Sequence, residues 1–186
     1  MSSSIVLVTG GVRSGKSHFA AELAAQLADG GPVRFIATAH PAPNDYRMLE
    51  RIRRHLLERP DNWTTAEAPV NLAEAVREQC PERVVLVDCL TVWQSNLLEE
   101  CGNPDAPGFS AAAHSHADRH REGLLSALHD QPLPVVLVAS EVGLGVAPAT
   151  TLGNVFADVH GETNRKVADI AAEVYMLVAG IPVKIK

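Results

Sequence analysis

The sequence predicts an α/β fold with a mostly parallel sheet, helices on both faces and a hairpin at its C-terminal edge. Three observations predict it. Short unbroken runs of Val, Leu and Ile recur at 5–8, 84–87 and 135–138. Such runs mark strands buried on both faces rather than on one. Segments with helical spacing separate them, and strands alternating with helices imply parallel pairing. A glycine-rich turn joins the first strand directly to the first helix, "VTGGVRSGKS".

Each element follows from local chemistry. Residues 4–9 form the first strand, and 16–30 a helix that stops near Gly30. Residues 33–39 read as the second strand. Asp45 can cap a helix over 46–58, and Pro60 ends it because its ring excludes further helix. Residues 71–80 are helical, 83–90 the third strand, and 91–101 a helix. The Gly/Pro-rich stretch 102–110 is a loop. A long polar-faced helix occupies 111–130, and the fourth strand 134–143. Residues 150–173 read as helical in patches. Residues 174–186 read as two strands about a Gly180-Ile181-Pro182 turn. There is no internal repeat, so 1–186 is expected to be one domain.

Bulk composition excludes several classes. The chain holds 16 basic and 22 acidic residues, a net charge of -6. Nucleic-acid binders carry an extended basic footprint, so none is expected here. No apolar run approaches the ~20 residues that span a bilayer. The first strand begins at Ile5 and leaves no room for a signal peptide, so a cytoplasmic location is expected. The three cysteines, Cys80, Cys89 and Cys101, form no C-x-x-C pair and read as reduced, packed thiols.

The strongest chemical signal is the run Gly10, Gly11, Val12, Arg13, Ser14, Gly15, Lys16 and Ser17. It fits G-x-x-x-x-G-K-[ST] and lies between a strand and a helix, as a phosphate loop requires. Glycines let backbone N–H groups converge on a small volume, and the helix N-terminus adds partial positive charge. Lys16 would bridge the outer phosphates, the Ser17 hydroxyl would hold Mg²⁺, and Arg13 would add a donor. Asp88 ends the third strand, where an acid reaches Mg²⁺ directly or through water. A solvated or helix-capping role for Asp88 is the alternative. Glu141, in "ASEVGLGVAP", lies at the mouth of the same site and is weaker evidence. These features specify a nucleotide-binding protein, without separating a kinase from a GTPase or an assembly ATPase.

The stretch "RIRRHLLERP" places His55 among four arginines. Helical spacing puts Arg51 and Arg59 on its face, with Arg54 adjacent. Nearby cations disfavour an imidazolium, leaving a neutral nucleophilic ring. The same arginines would neutralise a triphosphate. A solvated basic helix with an incidental histidine is the plainer reading, and the residues alone leave both open.

Five stretches, in this order, resemble one family: "TGGVRSGKS", "RIRRHLLERPDNWTTAEAP", "VDCLTVWQSNLL", "ASEVGLGVAP" and "AGIPVKIK". The chain is similar, nearly end to end, to the bifunctional adenosylcobinamide kinase / adenosylcobinamide-phosphate guanylyltransferases of cobalamin biosynthesis. The resemblance implies a phosphate-loop NTPase core of the recombinase (RecA-like) type, assembled as a trimer. It implies that ATP or GTP phosphorylates adenosylcobinamide, with Mg²⁺. GTP then guanylylates a histidine, which passes GMP to the cobinamide phosphate. By motif position that histidine is His55, with Lys16 also catalytic. The nucleotide contacts it implies are the phosphate loop, Ala37, Thr38 and Ala39, then Leu56, Leu57, Glu58 and Arg59, then Glu67 and Asp88. Two departures stand out. Arg47 precedes Met48 where the family usually carries an acid, and residues 40–44 are unusual.

Other groups read more plainly. His114, His116 and His120 form H-x-H-x-x-x-H, but no Cys or carboxylate at suitable sequence spacing completes a metal set, so a polar helix face is expected. His18 would lie beside the nucleotide. Trp63 and Trp93 pack the core or touch the corrinoid. A monofunctional phosphate-loop kinase and a non-enzymatic nucleotide switch remain the competing functions.

Overall fold

The computed structural model describes residues 4–40, 44–57, 59–79 and 81–186, and for Arg47, Met48, Arg51, Arg54, His55 and Leu57 the backbone alone. Its elements in chain order are β1 (Ile5–Gly10), α1 (Lys16–Leu27), β2 (Val33–Ala37), α2 (Tyr46–Leu57), β3 (Thr64–Glu67), α3 (Leu72–Arg77) and β4 (Val84–Asp88). They continue as α4 (Leu90–Glu99), α5 (Phe109–Asp130), β5 (Val135–Val138), α6 (Thr151–Ile170), β6 (Glu173–Val178) and β7 (Ile181–Lys184).

One seven-stranded sheet has the order β3-β2-β4-β5-β1-β6-β7. All pairings are parallel except β6 with β7. The phosphate-loop strand β1 lies between β5 and β6, and acid-bearing β4 lies one strand beyond β5. This is the expected mostly parallel sheet with a hairpin at its C-terminal edge. The central strands explain their apolar runs, since every residue of β1 and β5 is buried.

Alternate residues feed two cores. Val6, Val8, Leu86, Val136 and Val138 pack on Ala20, Ala24 and Ala28 of the α1 segment. Small side chains there let the helix approach the strands closely. Ile5, Leu7, Val87 and Leu137 face the other way, against Leu72, Trp93, Leu97, Leu124 and Val167 from α3, α4, α5 and α6. Trp93 is fully buried and donates Nε1–H to the Val70 carbonyl at 2.8 Å. It is therefore a core residue. Trp63 is half-buried against the α1-side core.

The structure corrects several boundaries. β3, "TTAE", carries no apolar run and was not expected from the sequence. It is an edge strand held by parallel pairing with β2. α2 ends at Leu57, and Glu58 lies outside the described residues, as do residues 41–43 and Cys80. α5 starts at Phe109, earlier than expected, on a left-handed Gly108. α6 is continuous, its start capped by Thr150, whose hydroxyl accepts from Gly153 N at 3.1 Å. The hairpin turn is Ala179-Gly180 rather than Gly180-Ile181-Pro182. Val178 pairs with Ile181, and φ is +51° at Ala179 and +85° at Gly180. Two positive φ values match the right-handed strand twist in a two-residue turn. Pro182 then lies in the edge strand, which tolerates a residue with no N–H to donate.

Candidate active site

The parallel strands all deliver their C-terminal ends to one edge of the sheet. Pairing puts Val8, Val138, Asp88, Ala37 and Glu67 in one row across it. At ~4.8 Å per strand, Asp88 lies about 10 Å sideways from β1 and Glu67 about 19 Å. The row therefore brings together the phosphate loop, the expected Mg²⁺ acid, the segment after β2 and the acid after β3. α2, which carries His55, lies in the connection from β2 to β3.

The phosphate loop leaves β1 at Gly10, whose φ of +144° is close to glycine-only. A Cβ there would meet the Leu177 carbonyl at 2.6 Å and Ser14 Oγ at 2.9 Å. Gly15 (φ +93°) is the residue before α1, so the helix N-terminus opens into the loop. Neighbours brace it. Glu141 N–H donates to the Gly10 carbonyl at 2.9 Å, and Gly180 N–H donates to the Ser14 carbonyl at 3.1 Å. The C-terminal hairpin turn thus supports the phosphate loop. Lys16 is only 9% exposed, and its Nζ donates to the Gly11 carbonyl at 2.5 Å. Gly11, Val12 and Arg13 are exposed, Ser17 is half-buried, and the buried Ser14 Oγ has no partner among the described residues. A ring of N–H donors, a lysine and hydroxyls facing one volume suits a phosphate chain.

Gly10→Ala should therefore cost stability without touching charge. Forcing a non-glycine residue into this backbone region costs roughly 1–3 kcal/mol, before the clash with Leu177 is added. The expected result is a lower denaturant midpoint with an unchanged slope.

Asp88 is half-buried at the end of β4. Among the described residues it does not cap α4: Cys89 is the residue before that helix, and no side-chain capping bond is made there. Its ring of neighbours is tightly fixed. Thr38 is fully buried, accepts from Cys89 N–H at 2.8 Å and donates to the Cys89 carbonyl at 2.8 Å. Asn96 Nδ2 donates to both the Thr38 and Pro69 carbonyls at 2.8 Å. Those bonds tie the exits of β2, β3 and β4 together. Burial, with the Asp88 charge adding, pushes the Cys89 thiol up to about 11, so it is an unreactive packed thiol.

Arg59 departs from expectation. The helix stops at Leu57, so Arg59 does not continue the His55 face. The following Pro60 disfavours helical backbone at Arg59. Its guanidinium lies 3.3 Å from the Phe35 ring centroid and donates to Thr65 Oγ1 at 2.9 Å. Burial lowers its pKa, and the Asp88 charge opposes that shift. Its position is fixed by the Phe35 ring and Thr65. Leu56 is exposed on α2, Ala37 and Ala39 are half-buried, and Glu67 is exposed on the wall of a groove of about 650 Å³ beside α3. His18 faces solvent beside Glu22 at 3.4 Å. For Mg²⁺, the Ser17 hydroxyl and Asp88 carboxylate are hard oxygen donors of the required kind.

One supporting group escaped the sequence reading. His160 is fully buried on α6, and its Nε2–H donates to the Ser140 carbonyl at 2.9 Å. Asn164, one turn on, donates to the same oxygen at 3.0 Å. Thr91 Oγ1 accepts from Ser140 N–H at 2.7 Å. Burial lowers the His160 pKa, which keeps the ring neutral. Together they fix the β5 exit just before Glu141. Polar residues four apart on an otherwise apolar helix face were the available signal.

Residues 6–185 match the family model described as cobinamide kinase / cobinamide phosphate guanyltransferase. The chain is 38% identical to the bifunctional adenosylcobalamin biosynthesis protein CobU of Escherichia coli, over 98% of this chain and 99% of that protein. It is 39% identical to the bifunctional adenosylcobalamin biosynthesis protein CobP of Pseudomonas aeruginosa, over 97% of this chain and 96% of that one. Among solved structures, the KaiC-like protein PH0186 of Pyrococcus horikoshii superposes with a TM-score of 0.49 at 15% identity, over 94% of this chain and 71% of that chain.

Proposed function

Since the chain belongs to the cobinamide kinase / cobinamide phosphate guanyltransferase family, a family of transferases, we propose that it carries out both reactions on adenosylcobinamide, the second through a guanylylated His55. The carrying observation is the single sheet edge that gathers the phosphate loop, Asp88, Ala37 and Glu67, with the helix bearing His55 inserted in the chain between β2 and β3.

In the kinase step, the phosphate loop and Lys16 hold a nucleoside triphosphate. The terminal hydroxyl of the aminopropanol arm attacks the γ-phosphorus, and the nucleoside diphosphate leaves. In the second reaction GTP extends along the row, with its outer phosphates at Gly10 to Ser17 and its guanosine toward Asp88 and Glu67. The ~19 Å between β1 and β3 suits an extended triphosphate. A His55 ring nitrogen attacks the α-phosphorus, the bond to pyrophosphate breaks, and the ring proton passes to solvent. A phosphate oxygen of the corrinoid then attacks the same phosphorus, the phosphorus–nitrogen bond breaks, and the leaving ring takes a proton back from solvent to restore neutral His55.

The arginines of this region would offset the charge of the phosphates. Ser17 and Asp88 would hold Mg²⁺, which offsets phosphate charge when bound. Thr38, Ala39, Leu56, Leu57, Glu58 and Arg59 complete the nucleotide contacts in this proposal. The assembly is a cytoplasmic trimer, which sedimentation would measure. Among the described residues no helix is long and apolar enough to cross a membrane.

The test is mass spectrometry of the corrinoid after incubation with ATP, GTP and Mg²⁺. Adenosylcobinamide should gain one phosphate, and then GMP. Accumulation of the phosphate alone would mean a monofunctional kinase. Nucleotide hydrolysis with an unchanged corrinoid would mean a switch or assembly ATPase.

A further inference from the structure

The sequence alone offers no carboxylate to complete a metal set with the histidines of α5, and the fold supplies one. Glu100, the C-cap residue just after α4, meets His116 and His120 of α5. One ligand atom from each lies within 4.8 Å of the others. Glu100 Oε2 accepts from His116 Nε2–H at 3.1 Å, and the His116 and His120 rings lie 4.7 Å apart. Residues four apart on a helix share a face, which accounts for the paired rings. The carboxylate arrives across the loop 101–108, so no local spacing announces it.

We propose that Glu100, His116 and His120 form a site for one divalent cation of the zinc class, separate from the phosphate loop. Two imidazoles and one carboxylate are a recurrent zinc donor set that leaves a fourth position for water. Zinc–ligand bonds of about 2.0–2.1 Å put neighbouring tetrahedral ligands about 3.4 Å apart. The Glu100–His116 separation of 3.1 Å is already there. Closing the third ligand from at most 4.8 Å needs side-chain rotation only.

The platform is firm. Ala113 and Ala117 are fully buried on the adjoining face of the same turns of α5, and the Trp93 ring stands edge-on to His120 at 6.5 Å. One local group opposes the metal. Arg119 Nη2 donates to His116 Nδ1 at 3.3 Å, which leaves the ring proton on Nε2. Metal at Nε2 moves that proton to Nδ1, so Arg119 must turn away. It can do so on its exposed side while keeping its bond to Ser115 Oγ at 2.9 Å. Bound metal would pin the end of α4 to α5, and α4 begins just after Asp88.

The experiment is calorimetric titration of Zn²⁺ into chelator-stripped, full-length protein held in saturating Mg²⁺. One Zn²⁺ per chain is expected, with a thermal midpoint that rises with Zn²⁺ concentration. Changes to groups outside the ligand shell cost ~10–100-fold in affinity, so H116N and H120N should each lose more than that. H114N should bind as wild type, and R119A should bind more tightly. Circular dichroism of the variants controls for folding, and Co²⁺ in place of Zn²⁺ should give visible absorption that both His variants abolish. Wild-type binding by H116N and H120N, no binding by wild type, or loss on C101S instead would each overturn the site.

Discussion

His55→Ala should leave phosphorylation of the corrinoid in its normal range and abolish the transfer of GMP. The split follows from the two attacks. In the kinase step the nucleophile is the substrate's own hydroxyl, and the groups that hold the γ-phosphate belong to the phosphate loop. In the guanylyl step the nucleophile is the imidazole, and alanine has no atom to replace it. Loss of a covalent nucleophile should lower the second rate by at least about 10⁴-fold. Alanine favours helix, so α2 itself should persist. The measurement is the ratio of phosphorylated to guanylylated corrinoid over time, with circular dichroism as the control.

Lys16→Ala should act differently and reduce both reactions together. Lys16 lies within the loop at 9% exposure, its ammonium already directed to a loop carbonyl at 2.5 Å. It is a point charge in a shielded place, where an electrostatic contact to phosphate is strong. Removing one preorganised donor from a charged transition state costs about 10²–10³-fold, or ~2.7–4 kcal/mol. Both steps use the same outer phosphates, so kcat/KM for each should fall on that scale. Lys16→Arg should rescue poorly, because a planar fork does not fit a cradle shaped for a compact ammonium. Retained GMP transfer in Lys16→Ala would place GTP away from the loop.

The parts of this molecule that were legible in sequence share a physical cause. β1, β4 and β5 are buried on both faces, so their residues had to be apolar without interruption. The phosphate loop was legible because its chemistry fixes both residue types and spacing. β3 was not, because "TTAE" is an edge strand whose position is set by pairing with β2, not by its own pattern. α6 looked broken because His160, Thr163 and Asn164 interrupt its apolar face. The structure turns those polar groups inward to the β5 exit and to Gln94. The Arg59 side chain was assigned to the wrong surface, since spacing was extended past the true end of α2. Glu100 could not be joined to His116 by any spacing rule, because the contact is made by two helices packing.

The most direct test of the covalent mechanism is labelling with GTP radioactive at the α-phosphate, with Mg²⁺, followed by denaturation. Wild type should retain label that acid removes and alkali does not, the behaviour of a phosphorus–nitrogen bond, and His55→Ala should retain none. A folded, GTP-binding wild type without label, or equal label in His55→Ala, would contradict the account and leave phosphorylation as the supported reaction.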